Sequence, residues 1–122
     1  MNSSQILKTL QQGTAIPAHP LALTASRKLD ERRQRALSRY YIASGVGGLA
    51  VGVHTTQFEI RNPGIDLYQP VLELAAEEMN RADKHRDQHL LRVAGICGNT
   101  KQATSEAAIA REAGYHFGLL SL

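Results

Sequence analysis

Four hydrogen-bonding side chains follow directly on an apolar run and could act on a substrate together. They are His54, Thr55, Thr56 and Gln57, and the run before them is GLAVGV at 48–53. An imidazole with an ordinary pKa of ~6.5 can serve as acid, base or ligand, and a hydroxyl can donate and accept hydrogen bonds at once. The alternative is that these side chains only satisfy backbone groups of a loop or a strand end, as threonine hydroxyls often do.

Metal binding and thiol chemistry have weaker candidates. His19, His54 and His116 lie on different predicted strands, but His19 and His116 fall near strand starts, and no carboxylate accompanies them. No metal site is therefore predicted.

Cys97, the only cysteine, ends a predicted strand. The helix that follows could lower its pKa, whereas a buried structural thiol would be inert, and both interpretations stay open.

The elements that must hold these residues alternate between helical and strand periodicity. The pattern predicts helices at 3–12, 29–44, 67–82 and 100–113, the last capped by Asn99 or Thr100. It predicts strands at 18–24, 48–53, 90–96 and 116–121. The strand at 48–53 has no polar face, which is typical of a strand covered on both sides in a parallel sheet.

The order of elements, a helix followed by βα, βα, βα and β, places the chain in the α/β class. Strands separated by whole helices imply right-handed crossovers and parallel pairing. Two architectures fit this order, a small doubly wound sheet and a portion of a closed barrel. Residues 1–122 are predicted to form a single α/β unit, in which 1–17 are an N-terminal helix and lead-in.

Composition and charge exclude several classes of protein. The net charge is +3, and the 14 basic and 11 acidic residues are spread along the chain, so nucleic-acid binding is not predicted. The longest apolar stretch, 45–53, is far shorter than the ~20 residues of a transmembrane helix. The N-terminal segment lacks the apolar core of a secretory signal. A cytoplasmic protein without membrane or nucleic-acid partners is therefore predicted.

Four segments, in order along 18–122, carry a recognisable pattern. They are Leu23 and Thr24 followed by Leu29 and Asp30, ASGVGGLAV at 43–51 followed by Thr55 and Thr56, VAGICGNT at 93–100, and AGYH at 113–116. Together they resemble the family of dihydrodipicolinate synthase and N-acetylneuraminate lyase. The chain departs from the family at His54, Gln57 and Phe58, where the family has Gly, Gly and Glu, which indicates a divergent branch.

The resemblance implies a fold and an activity. The fold would be the N-terminal half of a (βα)8 TIM barrel, with its first four parallel strands in the spatial order 1-2-3-4, three intervening helices and a short N-terminal helix. The activity would be that of an aldolase-type lyase, which makes or breaks carbon–carbon bonds of a 2-keto acid through a Schiff base.

The resemblance also implies roles for the four residues after strand two. Thr55 matches the catalytic threonine of a proton relay, and Thr56, with its amide, matches the residue that holds the substrate carboxylate. His54 and Gln57 lie beside this pair and are predicted to bind substrate as well. The resemblance implies neither a metal nor an organic cofactor.

The Schiff-base lysine of the family has no counterpart among these residues. The resemblance places that lysine on strand six and the relay tyrosine after strand five, both beyond residue 122. Such a lysine must be a desolvated amine in the pocket. Lys8, Lys28, Lys84 and Lys101 lie instead in helices or polar loops. The chain is therefore predicted to be a truncated family member that is inactive alone.

The alternative function is a non-catalytic α/β binding or assembly module, half-barrel or flavodoxin-like. Half of a barrel leaves two edge strands and its inner face uncovered. Self-association, or binding of a complementary half-barrel, is therefore predicted. In the parent enzyme the small-molecule partner would be the 2-keto acid.

Overall fold

Four α-helices and three strands are described over residues 2–121 of this computed structural model. In chain order they are α1 (Ser3–Gln12), α2 (Glu31–Ala43), β1 (Gly48–Val51), α3 (Tyr68–Asp83), β2 (Leu91–Ile96), α4 (Thr100–Glu112) and β3 (Phe117–Leu120). Two short 3₁₀ turns, His54–Thr56 and Phe58–Arg61, follow β1. The predicted helices begin and end within two residues of the observed ones. Within this described range, no helix has the length and apolar character needed to cross a membrane.

Local hydrogen bonds explain where two of the helices begin. At α2, the Asp30 carboxylate accepts a hydrogen bond from the Arg33 amide at 3.0 Å. At α4, the Asn99 side-chain oxygen accepts one from the Gln102 amide at 2.9 Å, which confirms one of the two predicted caps. Such caps satisfy amides that have no partner inside the helix.

The three strands form a parallel sheet in the order β1-β2-β3. Ala50 pairs with Val93, and Val93 pairs with Phe117. Strands that neighbour one another in chain order are also neighbours in space, as predicted. A doubly wound sheet would place a later strand on the other side of the first one, and that arrangement does not occur among the described strands.

The predicted first strand, 18–24, is not a strand, and this part of the fold prediction is wrong. Ala18 forms only an isolated parallel bridge with Ala50. The amide of His19 donates to Ala50 O at 2.8 Å, and the amide of Ala50 donates to Pro17 O at 3.0 Å. Prolines at 17 and 20 have no N–H to give to a ladder. The segment therefore lies along β1 without forming a strand, and the sheet has three strands instead of four.

The core lies between the sheet and α3. Leu49 and Val51 of β1 belong to one cluster with Leu72 and Met79 of α3, and all four are fully buried. Burial of each such side chain contributes roughly 1.5–3 kcal/mol. Because side chains alternate along a strand, Ala50 points to the opposite face of the sheet. Ala50 on that second face lines the cavity described next.

Candidate functional site

A cavity of about 480 Å³ lies at the carboxyl ends of the strands, on the face opposite α3. We call it the site cavity. Most of its lining is apolar and comes from the segment before α2 and from all three strands. The polar side chains in its wall are His54, Thr55 and Ser121. Two of the four predicted site residues are therefore brought together there.

Thr55 and His54 are both exposed and lie in the first 3₁₀ turn, His54–Thr56, which we call the site turn. The His54 ring packs edge-on against Phe58, with ring centroids 6.0 Å apart. Because only Gly52 and Val53 separate the end of β1 from the turn, the turn presents both side chains at the mouth of the cavity. A hydroxyl and an imidazole in this position can exchange hydrogen bonds with a small polar ligand.

Thr56 is fully buried and bonds to the protein itself. Its hydroxyl donates to the carbonyl of His19 and accepts a hydrogen bond from the Gly52 amide at 3.1 Å. Its own amide donates to Val53 O at 3.0 Å. This is the loop-satisfying role that threonine often has. To bind substrate, the Thr56 hydroxyl or amide would have to exchange one of these protein partners for the ligand. Substrate binding by Thr56 stays a prediction.

Gln57 is exposed and does not line the site cavity. It lies between the two 3₁₀ turns with φ 78° and ψ 119°, and its amide donates to His54 O at 2.9 Å. A non-glycine residue rarely adopts a positive φ of this kind. Its predicted role in substrate binding also stays a prediction.

The other two candidate histidines lie away from His54 and are each held by the protein. The fully buried His19 ring contacts Pro20 O at 2.6 Å and the Ser38 hydroxyl at 2.8 Å. Burial lowers its pKa, although the bond to Pro20 opposes the shift. His116 accepts from the Arg92 amide at 3.2 Å, and burial together with the nearby Arg92 charge lowers its pKa. Residues 2–121 hold no cluster of three potential metal ligands.

Cys97 does not have the lowered pKa that a helix N-terminus could give it. Burial raises the pKa of the thiol, the Arg61 guanidinium opposes that shift, and the Glu106 carboxylate adds to it. The Cys97 amide donates to Glu106 at 3.1 Å. A raised pKa disfavours the reactive thiolate, and Cys97 is partly buried. Its role stays a prediction.

A buried ion pair that sequence reasoning missed lies beside the site turn. Arg61 Nε and Glu106 Oε1 are 2.9 Å apart, and each side chain is only 7% exposed. Because 45 residues separate them, no motif or periodicity links the pair. One signal was present, since Glu106 lies three and four residues from Ala103 and Ala110 on the inward face of α4. A charged residue at such a position needs a buried partner.

Lysines are absent from the wall of the site cavity, as far as the described residues extend. Lys101 lines a separate cavity of about 460 Å³, formed with Arg61, Tyr68 and Glu106 between α3 and α4. Lys8, a residue of α1, lines a third cavity. The described residues therefore offer no amine to a ligand bound beside His54 and Thr55.

Comparison with known proteins supports the fold. The chain is similar to the crystal structure of dihydrodipicolinate synthase from Aquifex aeolicus, with a TM-score of 0.71 and 20% sequence identity. The similarity covers 88% of this chain and 33% of that chain, so this chain spans about a third of the length of that enzyme. Neither a known family model nor a curated protein sequence matches it. The resemblance seen in the sequence motifs is thus supported at the level of the fold.

Proposed function

We propose that this chain forms the carboxylate-binding part of an aldolase-type lyase site on a portion of a (βα)8 barrel, with a 2-keto acid as substrate. The observation that carries the proposal is that His54 and Thr55 line one cavity at the carboxyl ends of parallel strands. The fold around them is similar to that of dihydrodipicolinate synthase. Active sites of such barrels lie at this end of the strands.

The lining of the site cavity suits a small keto acid. The imidazole of His54 and the hydroxyl of Thr55 can each donate a hydrogen bond to a carboxylate. The Thr55 hydroxyl can also pass a proton, because it donates and accepts at once. Val53 and Leu119 offer apolar surface to a methyl group. In this proposal Thr56 acts by fixing the site turn, and Gln57 reaches a ligand only from the rim.

A titration with pyruvate tests the binding step on the chain itself. Backbone NMR shifts of the site turn should move in a saturable way with pyruvate, and less with propionate, which lacks the keto group. T55V should weaken the response by about tenfold, the value of one hydrogen bond to a charged ligand. T104V is the matched control, because Thr104 is exposed on α4 and bonds only within its helix. Equal binding by wild type, T55V and T104V would contradict the proposal.

The nucleophile of the proposed reaction is not supplied by these residues. Since no described lysine lines the site cavity, we propose that a Schiff-base lysine comes from outside the 122 residues. Borohydride trapping with pyruvate should therefore leave the mass of the chain unchanged. A stable adduct on Lys101, or on any of the other three lysines, would show that the chain carries its own nucleophile.

We also propose that the sheet is completed by other strands, from a second copy or from a complementary part of a barrel. The support comes from β3, where Leu119 is 55% exposed and Leu120 is 60% exposed, although they point to opposite faces. A strand that is uncovered on both faces and at its edge is a template for pairing.

A further inference from the structure

The side chain of Arg61 closes the loop that carries the site turn. Arg61 ends the second 3₁₀ turn, nine residues after Gly52. Its Nη2 donates to Gly52 O at 2.7 Å and to Gly95 O at 3.0 Å. Gly52 follows β1 and Gly95 is the penultimate residue of β2. One guanidinium therefore ties the loop back to its own start and ties β1 to β2.

The position of this guanidinium is fixed by several further contacts. Glu106 Oε1 accepts from Arg61 Nε at 2.9 Å, and Glu106 Oε2 accepts from Gln102 at 2.8 Å. The guanidinium lies over the Tyr68 ring, 4.6 Å from its centroid. The Tyr68 hydroxyl donates to Gly95 O at 2.6 Å, the same carbonyl that Arg61 binds. An ammonium group cannot reproduce this planar set of contacts.

These contacts fix the peptide from which the site turn starts. The amide of Gly52 donates to the Thr56 hydroxyl at 3.1 Å, while its carbonyl accepts from Arg61. Gly52 has φ +76°, a conformation that favours glycine, and it turns the chain from β1 toward His54. A Cβ atom on Gly95 would collide with the Gly52 carbonyl, so the backbones of the two strand ends pack closely here.

We propose that Arg61 is a positioning residue for the site turn, a role that rests on the proposed function of that turn. Arg61 does not line the site cavity and so does not touch a ligand there. It acts through the Gly52 carbonyl, which sets the direction in which His54 and Thr55 leave β1. Loss of its two bonds to Gly52 and Gly95 lets the site turn move relative to the cavity.

The test compares R61K with R92K, since both residues are buried arginines paired with a carboxylate. Arg92 binds Asp83 at 2.7 Å, and its side chain is 10% exposed. It lies near the N-terminal end of β2, whereas Arg61 binds near the C-terminal end of that strand. Both variants should lower the melting temperature. Only R61K should shift the NMR signals of His54 and Thr55 and weaken pyruvate binding severalfold, because the displaced turn no longer presents these two side chains to the ligand.

Amide hydrogen exchange keeps this test independent of the ligand. The reference is Leu91, a buried amide that donates to Gly47 O at 2.8 Å. In R61K the exchange rate of Gly52 should rise about tenfold relative to Leu91, whereas global destabilisation in R92K should move both amides together. If wild type binds no pyruvate but R61K shows this local effect, the proposed function fails and the positioning role stands.

Equal exchange ratios and equal shifts in R61K and R92K would overturn the positioning role. If R61K does not fold, E106A takes its place, because it keeps Arg61 and removes the oxygen that accepts from Arg61 Nε. E106A should produce the same local rise at Gly52. The absence of that rise in a folded E106A variant would also overturn the inference.

Discussion

Gln57 is held in a backbone conformation that side chains rarely adopt. Its φ of 78° lies in the region that favours glycine, and it separates the site turn from the turn that ends at Arg61. In the family that the sequence resembles, a glycine stands at this position. A conformation of this kind costs about 1–3 kcal/mol in a non-glycine residue. The loop that carries the candidate site is therefore strained at Gln57.

Q57G is expected to stabilise the protein by about 1 kcal/mol. The variant removes the strain at positive φ, and this gain exceeds the extra freedom of glycine in the unfolded chain. Thermal unfolding measures the change. E59G is the matched control, because Glu59 is an exposed residue of the same loop without a positive φ, and it should lose stability. Similar losses in both variants would show that Gln57 is not strained.

The fully buried His19 and the partly buried His116 should make the protein less stable below neutral pH. Burial holds the pKa of His19 and that of His116 below the ordinary value of 6.5. The unfolded chain therefore binds more protons than the folded one as the pH falls below 6.5. The stability from the two neutral rings is fully present above 6.5 and is lost as the pH falls toward their folded pKa values.

Urea unfolding at about pH 7.5 and about pH 5.5 measures this loss of stability. Most carboxyl groups titrate below this pH range, so they contribute little to the difference. The urea midpoint should be lower at the more acidic pH. H19Q keeps a side chain that can hydrogen-bond but cannot titrate, so its midpoint should change less between the two pH values. A wild-type midpoint that is constant, or that rises on acidification, would contradict the assignment.

At the scale of elements, continuous apolar runs are the most informative feature of the sequence. GLAV at 48–51 is apolar on both faces, which predicts a buried parallel strand, and β1 confirms it. The segment 18–24 has a similar composition but contains Pro20 and follows Pro17, so it lacks the amides that a ladder needs. Hydrophobic periodicity takes no account of the backbone N–H groups that proline lacks. For this reason it predicted one strand too many.

The candidate site is predictable from the sequence only where it is local. His54 and Thr55 come shortly after β1 in the chain, so the position of the strand also places them at the site cavity. Arg61 pairs with Glu106 on α4. The carbonyl groups that accept from Arg61 belong to Gly52, after β1, and Gly95, on β2. Such contacts between distant elements depend on tertiary packing, which no local pattern encodes.

The Glu78 carboxylate of α3 binds arginines of α2, and it should contribute more to stability than the neighbouring Glu77 carboxylate. Glu78 is 2% exposed and accepts from Arg39 at 2.6 Å and Arg35 at 2.9 Å. Burial alone would raise its pKa, but the hydrogen bonds from Arg39 and Arg35 outweigh it and lower the pKa. Glu77 binds Arg35 as well, but its side chain is 56% exposed.

E78Q should therefore destabilise the protein by roughly 2 kcal/mol. The substitution leaves two arginines without their buried carboxylate, and their partial exposure keeps the cost below that of a fully buried pair. E77Q is the control and should change the free energy of unfolding by less than about 0.5 kcal/mol. Chemical denaturation of both variants at neutral pH gives the comparison. Equal effects would mean that burial of Glu78 does not strengthen its ion pairs.

At the scale of the whole molecule, one side of the sheet is well covered and the other is not. α3 buries the face that carries Leu49 and Val51. At the other end of the sheet, β3 pairs only with β2 among the described strands, and Leu119 and Leu120 are both more than half exposed. Apolar side chains on an unpaired parallel edge are unusual, because parallel sheets are normally covered on both faces.

The isolated chain is therefore expected to self-associate through β3. Covering even ~500 Å² of apolar surface would contribute about 12 kcal/mol by area, before the costs of association are subtracted. Light scattering over a concentration series should show a mass that rises above 13.3 kDa. L119E should reduce the association by placing a charge on the edge strand. I65E is the matched control, because Ile65 is also apolar, is 45% exposed and lies in the loop before α3 and not in β3. A constant mass of 13.3 kDa with cooperative unfolding, or equal effects of the two variants, would show that β3 does not drive association.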